Sequence, residues 1–146
     1  MKDFCREVFL FCYTSNMNII DSLPDPFNKI VIENEVGSYK DFGVKNPEDY
    51  PLAGVNFFAD YGYLPGYTGE DGHELDFFVG SDSNGQHGFF TVWRSKEVPQ
   101  EHKFFLALNE EQLKKTVKEY SPVFVRQVGL ASLNEVATVI NEFKNT

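Results

Sequence analysis

The chain is poor in cysteine and in basic residues. Its two cysteines, Cys5 and Cys12, lie near the N-terminus and cannot form a framework of disulfide bonds, so we expect a reducing, cytoplasmic location. Its 13 Lys and Arg residues are outnumbered by 22 Asp and Glu residues, which gives a formal net charge of −9. Because nucleic-acid binding requires clustered basic residues, this balance argues against a nucleic-acid partner.

The chain also lacks a long apolar run. The longest uncharged apolar stretch near its start covers residues 8–13, whereas a helix needs about 20 residues to cross a bilayer. Asp3 and Glu7, and the absence of a small-residue cleavage site after them, argue against a signal peptide. We therefore expect no association with a membrane.

Aromatic residues, in contrast, are abundant. The chain has 146 residues, enough for one domain with a substantial core. Its 15 Phe and 7 Tyr residues favour a β-rich interior packed with aromatic rings. Met17 begins a more typical N-terminus, so we expect residues 1–16 to be an N-terminal extension and residues 17–146 to form the single domain.

Local patterns predict strands first and helices last. Short apolar runs predict strands at residues 29–33, near 39, at 75–79, 88–93 and 103–108. We expect a hairpin to join residues 75–79 to residues 88–93, and residues 123–125 are a further candidate strand. Capping-box patterns at residues 109–112 and 132–135 predict two C-terminal helices. This order of elements indicates an α+β fold.

Two aspartates near the middle of the chain indicate a metal site. Asp71 precedes Gly72 in a turn, and Asp76 opens an apolar strand, where a carboxylate is costly unless something binds it. Carboxylates on a loop and at the mouth of a strand are typical ligands of a divalent cation. The alternative for Asp71 is that its side chain only stabilises the Asp-Gly turn.

This segment resembles the signature of the soluble family I inorganic pyrophosphatases. Residues 61–65 read Tyr-Gly-Tyr-Leu-Pro, and residues 70–76 read Glu-Asp-Gly-His-Glu-Leu-Asp. The order and spacing match the family pattern, and the first and last of its three aspartates are present. The middle aspartate is replaced by His73, and the proline that follows it is replaced by Glu74. The resemblance covers about residues 29–108.

The resemblance implies a fold and an activity. Members of that family fold as a small, highly twisted five-stranded β-barrel, similar to an OB fold, with helices packed outside it. They hydrolyse inorganic pyrophosphate to two phosphates with divalent metal ions, so the expected substrate is pyrophosphate or a closely related small phosphoanhydride. The expected cofactor is Mg²⁺, which supplies the positive charge that an acidic site needs to attract phosphate. A homo-oligomer is a further expectation from the resemblance.

The resemblance also assigns roles to particular residues. The expected metal ligands are Asp71, Asp76, Glu101 and Glu33; the expected catalytic residues are His73, Asp76 and Tyr61; the expected substrate-binding residues are Lys103 and Tyr61. For most of these residues, an ordinary structural role is the alternative. Glu101 and Lys103 would also suit a charged loop in water, a strand-end glutamate is often only solvated, and a buried tyrosine can serve core packing.

His73 is the main departure from the family pattern. In the family, a carboxylate at this position binds metal and helps to deprotonate the attacking water. Imidazole can also ligate a metal or accept a proton near neutral pH, although it suits Mn²⁺, Co²⁺ or Zn²⁺ better than Mg²⁺. The alternative is a surface histidine without a role.

Several cations of the family pattern are missing. Residues 38–40 read Ser-Tyr-Lys where the family has Lys-Tyr-Glu, Asp49 stands in place of an arginine, and Tyr120 is followed by Ser121 instead of lysine. Each lost phosphate contact would weaken binding by roughly 2 kcal/mol. A second hypothesis therefore stays open, namely a catalytically degenerate pyrophosphatase-like domain that binds a ligand or a protein.

Overall fold

The structure is a computed structural model that describes residues 19–146. The predicted N-terminal extension at residues 1–16, with both cysteines, lies outside the described residues. The elements of the described part are β1 (Val31–Asn34), β2 (Tyr39–Asp41), β3 (Gly54–Asn56), β4 (Asp60–Thr68), β5 (Glu74–Val79), β6 (Gln86–Val92), β7 (Glu101–Leu108), α1 (Glu110–Glu119), β8 (Val128–Ala131) and α2 (Leu133–Ile140). No helix of this part is long and apolar enough to cross a membrane.

Six of the strands form one mixed sheet. Its order is β1-β4-β5-β7-β6-β8, in which β5 and β7 are parallel and all other neighbours are antiparallel. Strands β2 and β3 form a separate antiparallel pair. The α+β class is therefore confirmed. The described strands do not confirm a closed five-stranded barrel, because β1 and β8 stand at the two ends of the hydrogen-bonded order.

Adjacent phenylalanines direct their rings to opposite faces of the sheet, because successive strand residues alternate. Phe77 of β5 and Phe104 of β7 belong to an apolar cluster on the face that α2 covers. Phe78 and Phe105, the next residues along each strand, belong to a second cluster on the face of α1. Burying such side chains stabilises the fold by roughly 2–3 kcal/mol each. The polar residues discussed below share the face of Phe78 and Phe105.

Both predicted capping boxes are confirmed. The Asn109 side chain accepts a hydrogen bond from the Gln112 backbone N–H at 2.8 Å, and the Gln112 side chain accepts one from the Asn109 backbone N–H at 3.0 Å. Ser132 and Glu135 make the same reciprocal pair at 3.1 and 2.8 Å before α2. These bonds satisfy backbone donors that the first helical turn leaves without a partner.

The predicted hairpin between residues 75–79 and 88–93 is wrong. Strand β7 lies between β5 and β6, because Phe77–Val79 of β5 pair in parallel with Phe104–Leu106. The β5–β6 connection therefore crosses over to a different position in the sheet. The apolar runs themselves were located correctly, but nothing in their local pattern identifies the neighbouring strand.

The candidate strand at residues 123–125 is also wrong. Residues Ser121–Val123 form a short 3-10 helix, and Phe124 follows in the left-handed region with φ of 52°. No strand is formed at residues 121–127. The strand of this region is β8, which no sequence pattern predicted. Strand β4 was also missed, since Pro65 interrupts its pattern, and the register shifts between Leu64 and Thr68.

Candidate active site

Strand alternation brings three charged side chains to one face of the sheet. Glu101 and Lys103 lie on β7 in phase with Phe105 of the second cluster, and Asp76 lies on β5 in phase with Phe78. Because β5 and β7 are neighbours, the side chains meet. Lys103 Nζ lies 3.5 Å from Asp76 Oδ2 and 3.6 Å from Glu101 Oε2.

Lys103 is a buried cation in a polar and aromatic enclosure. Its Nζ donates to the Tyr61 hydroxyl at 3.3 Å and lies 5.8 Å and 5.5 Å from the ring centroids of Tyr61 and Tyr120. Burial alone would lower the pKa of Lys103, but the surrounding tyrosines and the carboxylates of Glu101 and Asp76 hold it well above the ordinary value. Lys103 therefore carries a positive charge at neutral pH.

The two tyrosines beside this lysine are neutral at physiological pH. Burial raises the pKa of Tyr120 to about 12 and that of Tyr61 well above its ordinary value, although the charge of Lys103 opposes both changes. The Tyr61 hydroxyl keeps its proton, and the negative charge of the nearby Asp76 carboxylate adds to the rise in its pKa. The hydrogen bond from Lys103 orients the Tyr61 hydroxyl.

Glu101 is a buried carboxylate whose surroundings disfavour its negative charge. Burial raises its pKa, the negative charges of Asp71 and Asp76 raise it further, and the cations Lys103 and Arg94 only partly offset them. Glu101 is thus electrostatically coupled to both aspartates. A cation bound among the three carboxylates would relieve their repulsion, so the chemistry of this donor set fits a divalent metal.

The loop before β5 carries Asp71 and His73. The Asp71 carboxylate accepts a hydrogen bond from the His73 backbone N–H at 3.0 Å, and the Gly69 N–H donates to the His73 carbonyl at 2.7 Å. Gly72 has φ of +83°, which only glycine adopts without strain. Asp71 therefore does stabilise its turn, as the alternative interpretation held. The same side chain also borders the cavity described below.

Glu70 and His102 attach this loop to β7. Glu70 Oε1 accepts a hydrogen bond from the His102 backbone N–H at 3.2 Å, and Glu70 Oε2 contacts His102 Nδ1. Burial would raise the pKa of Glu70, but its hydrogen bonds, chiefly with His102, hold it below the ordinary value. The loop residue Asp71 is thereby held near Glu101, which precedes His102 on β7.

All seven site residues predicted from the sequence border one cavity of about 710 Å³. They are Glu33, Tyr61, Asp71, His73, Asp76, Glu101 and Lys103. Glu101, Lys103 and Tyr61 are buried, Asp71 and Asp76 are half-buried, and His73 and Glu33 are exposed. The structure thus brings them together, while the role of each stays a prediction.

A comparison with protein-family models supports the same assignment. The model described as Inorganic Pyrophosphatase matches residues 27–145. The chain belongs to the inorganic pyrophosphatase family. The match extends beyond residue 108, where the resemblance seen in the sequence ended. The comparisons with curated proteins and with solved structures found no match.

Inorganic pyrophosphatases typically use divalent metals. The side chains of this cavity suit a metal that water and substrate also bind better than a metal held by protein ligands alone. Among residues 19–146, no three His, Cys, Asp or Glu side chains are arranged to hold a metal ion by themselves. Mg²⁺ is usually held by one or two carboxylates together with water and substrate phosphates, not by an all-protein cage. The carboxylates that border this cavity supply oxygen donors for a divalent metal ion that water and substrate phosphates would also bind.

Several residues that border the cavity of this pyrophosphatase family member were not predicted from the sequence. Arg94, Tyr50 and Lys40 border the cavity but do not belong to the predicted site, and Lys40 stands out in the sequence only as the replacement of an acid in the family pattern. One signal was available for Arg94, because it is the first charged residue after the apolar run at residues 88–93. Lys40 had no such signal, since its strand β2 is short and exposed.

Proposed function

We propose that this protein hydrolyses inorganic pyrophosphate, or a closely related small phosphoanhydride, with the help of a divalent metal ion. One observation carries the proposal: Asp76 and Glu101 flank a protonated Lys103 in a cavity that Asp71 also borders, in a chain of the inorganic pyrophosphatase family. Phosphoryl transfer requires mainly positioning and neutralisation of charge, and this cavity contains groups for both.

Each group has a distinct task in this proposal. Asp71, Asp76 and Glu101 would hold the metal through their carboxylate oxygens, and the bound metal would neutralise phosphate charge and make bound water more acidic. Lys103 stabilises negative charge on the departing phosphate, because it stays protonated. Tyr61 accepts a hydrogen bond from Lys103 at 3.3 Å and so helps to position this cation in the cavity.

His73 takes the proton of the attacking water in this proposal. It borders the same cavity, is exposed to solvent, and lies on the loop that presents Asp71. A neutral imidazole adds no negative charge, so we expect weaker Mg²⁺ binding than a third aspartate would provide. Hydrolysis should therefore be faster with Mn²⁺ or Co²⁺ than with Mg²⁺.

The direct test is phosphate release from pyrophosphate, with Mg²⁺, Mn²⁺, Co²⁺ and Zn²⁺ supplied separately. We expect release by the parent protein with at least one metal, and a loss of roughly 100-fold in Asp76→Asn. Asp21→Asn is the matched control, because Asp21 is exposed and does not border the cavity. Absence of release with every metal would contradict the proposal.

Changing His73 separates the enzyme from the degenerate binding domain. His73→Asp should raise Mg²⁺-supported hydrolysis, because it supplies the negative ligand of the family pattern. Asparagine has nearly the same shape as aspartate but no charge, so His73→Asn should give no such increase. If the parent is inactive with all metals and His73→Asp does not restore activity, the alternative of a ligand- or protein-binding domain is favoured.

A further inference from the structure

We propose that Lys40 and Arg94 bind the phosphates of the substrate and replace the two cations missing at positions 38 and 49. The inference rests on the proposed function, because it assigns substrate contacts within the same cavity. Both residues border that cavity together with Lys103. Neither Lys40 nor Arg94 matches one of the cations of the family signature.

Lys40 recovers the charge that Ser38 lacks. Ser38 directly precedes β2, and Lys40 lies within it, paired with Val55 of β3. Residues two apart in an extended chain face the same side, so a lysine moved by two positions projects in the same direction. Lys40 borders the cavity accordingly.

Arg94 comes from a different part of the chain than the missing arginine at Asp49. It lies just after β6, and its backbone N–H donates to the Val98 carbonyl at 3.0 Å, which closes a tight turn. Its guanidinium carbon lies 5.6 Å from the ring centroid of Tyr50. Tyr50 directly follows Asp49, the position at which the family pattern has an arginine. Arg94 therefore places a positive charge against the same segment of the chain.

The side chain of Arg94 rests on an ordered aromatic group. Tyr50 stacks on Trp93 with ring centroids 6.3 Å apart and an interplanar angle of 20°, and it also contacts Phe42 at 6.3 Å. Burial raises the pKa of the Tyr50 hydroxyl, and the positive charge of Arg94 acts against this larger effect. A guanidinium held in this way is preorganised for two parallel hydrogen bonds to a phosphate group.

The three cations that border the cavity differ in their contacts with carboxylates. Lys103 faces two carboxylates, at 3.5 and 3.6 Å. Within residues 19–146, neither Lys40 nor Arg94 forms an ion pair with a carboxylate. Their charges are therefore not offset by a carboxylate in direct contact, although Arg94 lies near enough to Glu101 to oppose the rise that burial causes in its pKa. Because the cavity wall also carries several acidic residues, such cations are needed where phosphate oxygens are to lie.

The test measures binding without turnover. Isothermal titration calorimetry with imidodiphosphate, a non-hydrolysable analogue of pyrophosphate, is performed in the presence of Mg²⁺ or Mn²⁺. We expect Arg94→Met and Lys40→Met each to raise the Kd by about 10-fold, since each removes one charged contact. Lys96→Met is the matched control and should stay within about 2-fold of the parent, because Lys96 is exposed and does not border the cavity.

The outcomes separate this inference from the proposed function. If either variant binds the analogue within about 2-fold of the parent, or if Lys96→Met weakens binding equally, the inference is overturned even when pyrophosphate is hydrolysed. A parent that binds through both cations but does not hydrolyse keeps the inference and contradicts the proposed activity. A parent that does not bind the analogue overturns both. Thermal unfolding of each variant checks folding, and Arg94→Gln replaces Arg94→Met should that variant not fold.

Discussion

At the scale of single residues, the cavity combines a buried lysine with carboxylates that differ in their exposure to solvent. Lys103 and Glu101 are buried, whereas Asp76 keeps contact with solvent. A buried ion pair is weak evidence for stability, since desolvation offsets much of its attraction. We therefore expect these ion pairs to add little net stability to the fold.

The pH dependence of folding stability tests what the burial of Glu101 contributes. Its pKa is raised by burial and by the charges of Asp71 and Asp76, so the folded protein binds this proton more tightly than the unfolded chain does. The resulting stabilisation is complete below the ordinary pKa of 4.5 and is lost as the pH rises through the raised pKa. We expect Glu101→Gln to be more stable than the parent at neutral pH, with a smaller difference in acid.

Urea unfolding of both proteins across that pH range measures this difference. Glu97→Gln is the control, because Glu97 is an exposed residue of the same segment and should show no such trend. Glu101→Gln should also reduce phosphate release if Glu101 holds the metal. A variant less stable than the parent at neutral pH would mean that attraction to Lys103 outweighs burial and repulsion.

At the scale of elements, the close approach of β1 and β4 depends on Gly62. A Cβ atom at Gly62 would lie 1.9 Å from the Val31 carbonyl oxygen, which belongs to the backbone of β1 and cannot move independently. We expect Gly62→Ala to lower the free energy of unfolding by about 3 kcal/mol, because the strands must separate. The measurement is urea unfolding monitored by circular dichroism.

Gly129 of β8 is a suitable control for this change. The nearest atoms to a Cβ at Gly129 belong to Phe89 at 3.8 Å, which is ordinary contact. Gly129→Ala should therefore change stability by less than about 1 kcal/mol. Equal effects of the two substitutions would show that strand spacing at Gly62 is not limiting.

At the scale of the whole molecule, metal binding should stabilise the fold. The chain carries a net charge of −9, and seven of its carboxylates border one cavity. A ligand that binds only the native state at 100 times its Kd adds about 2.7 kcal/mol, which for a domain of this size raises Tm by roughly 5–10 °C. We expect this increase with Mg²⁺ or Mn²⁺.

Two controls make the metal prediction specific. NaCl at matched ionic strength accounts for general screening of the negative charge. The double variant Asp71→Asn, Asp76→Asn removes two expected ligands and should lose most of the increase. An increase of the same size in that variant, or with NaCl alone, would place the effect outside this cavity.

Local features of the chain were predictable from sequence because they depend on residues close together in it. The capping boxes at Asn109 and Ser132 need only the next three residues to form. The turn at Gly72 and the spacing from Asp71 to Asp76 carry the family resemblance in the same way. The acid-x-Lys spacing of Glu101 and Lys103 is likewise visible in the sequence, although the predicted strand begins at residue 103 and β7 begins at Glu101.

Tertiary structure alone decided which strands are neighbours and which cations reach the cavity. The two-residue period of a strand places Lys103 and Phe104 on opposite faces, but it does not reveal that β7 inserts between β5 and β6. Lys40 and Arg94 border one cavity although 54 positions separate them, so no local pattern could pair them. Strand pairing depends on contacts between distant residues, whose energies the whole fold decides together.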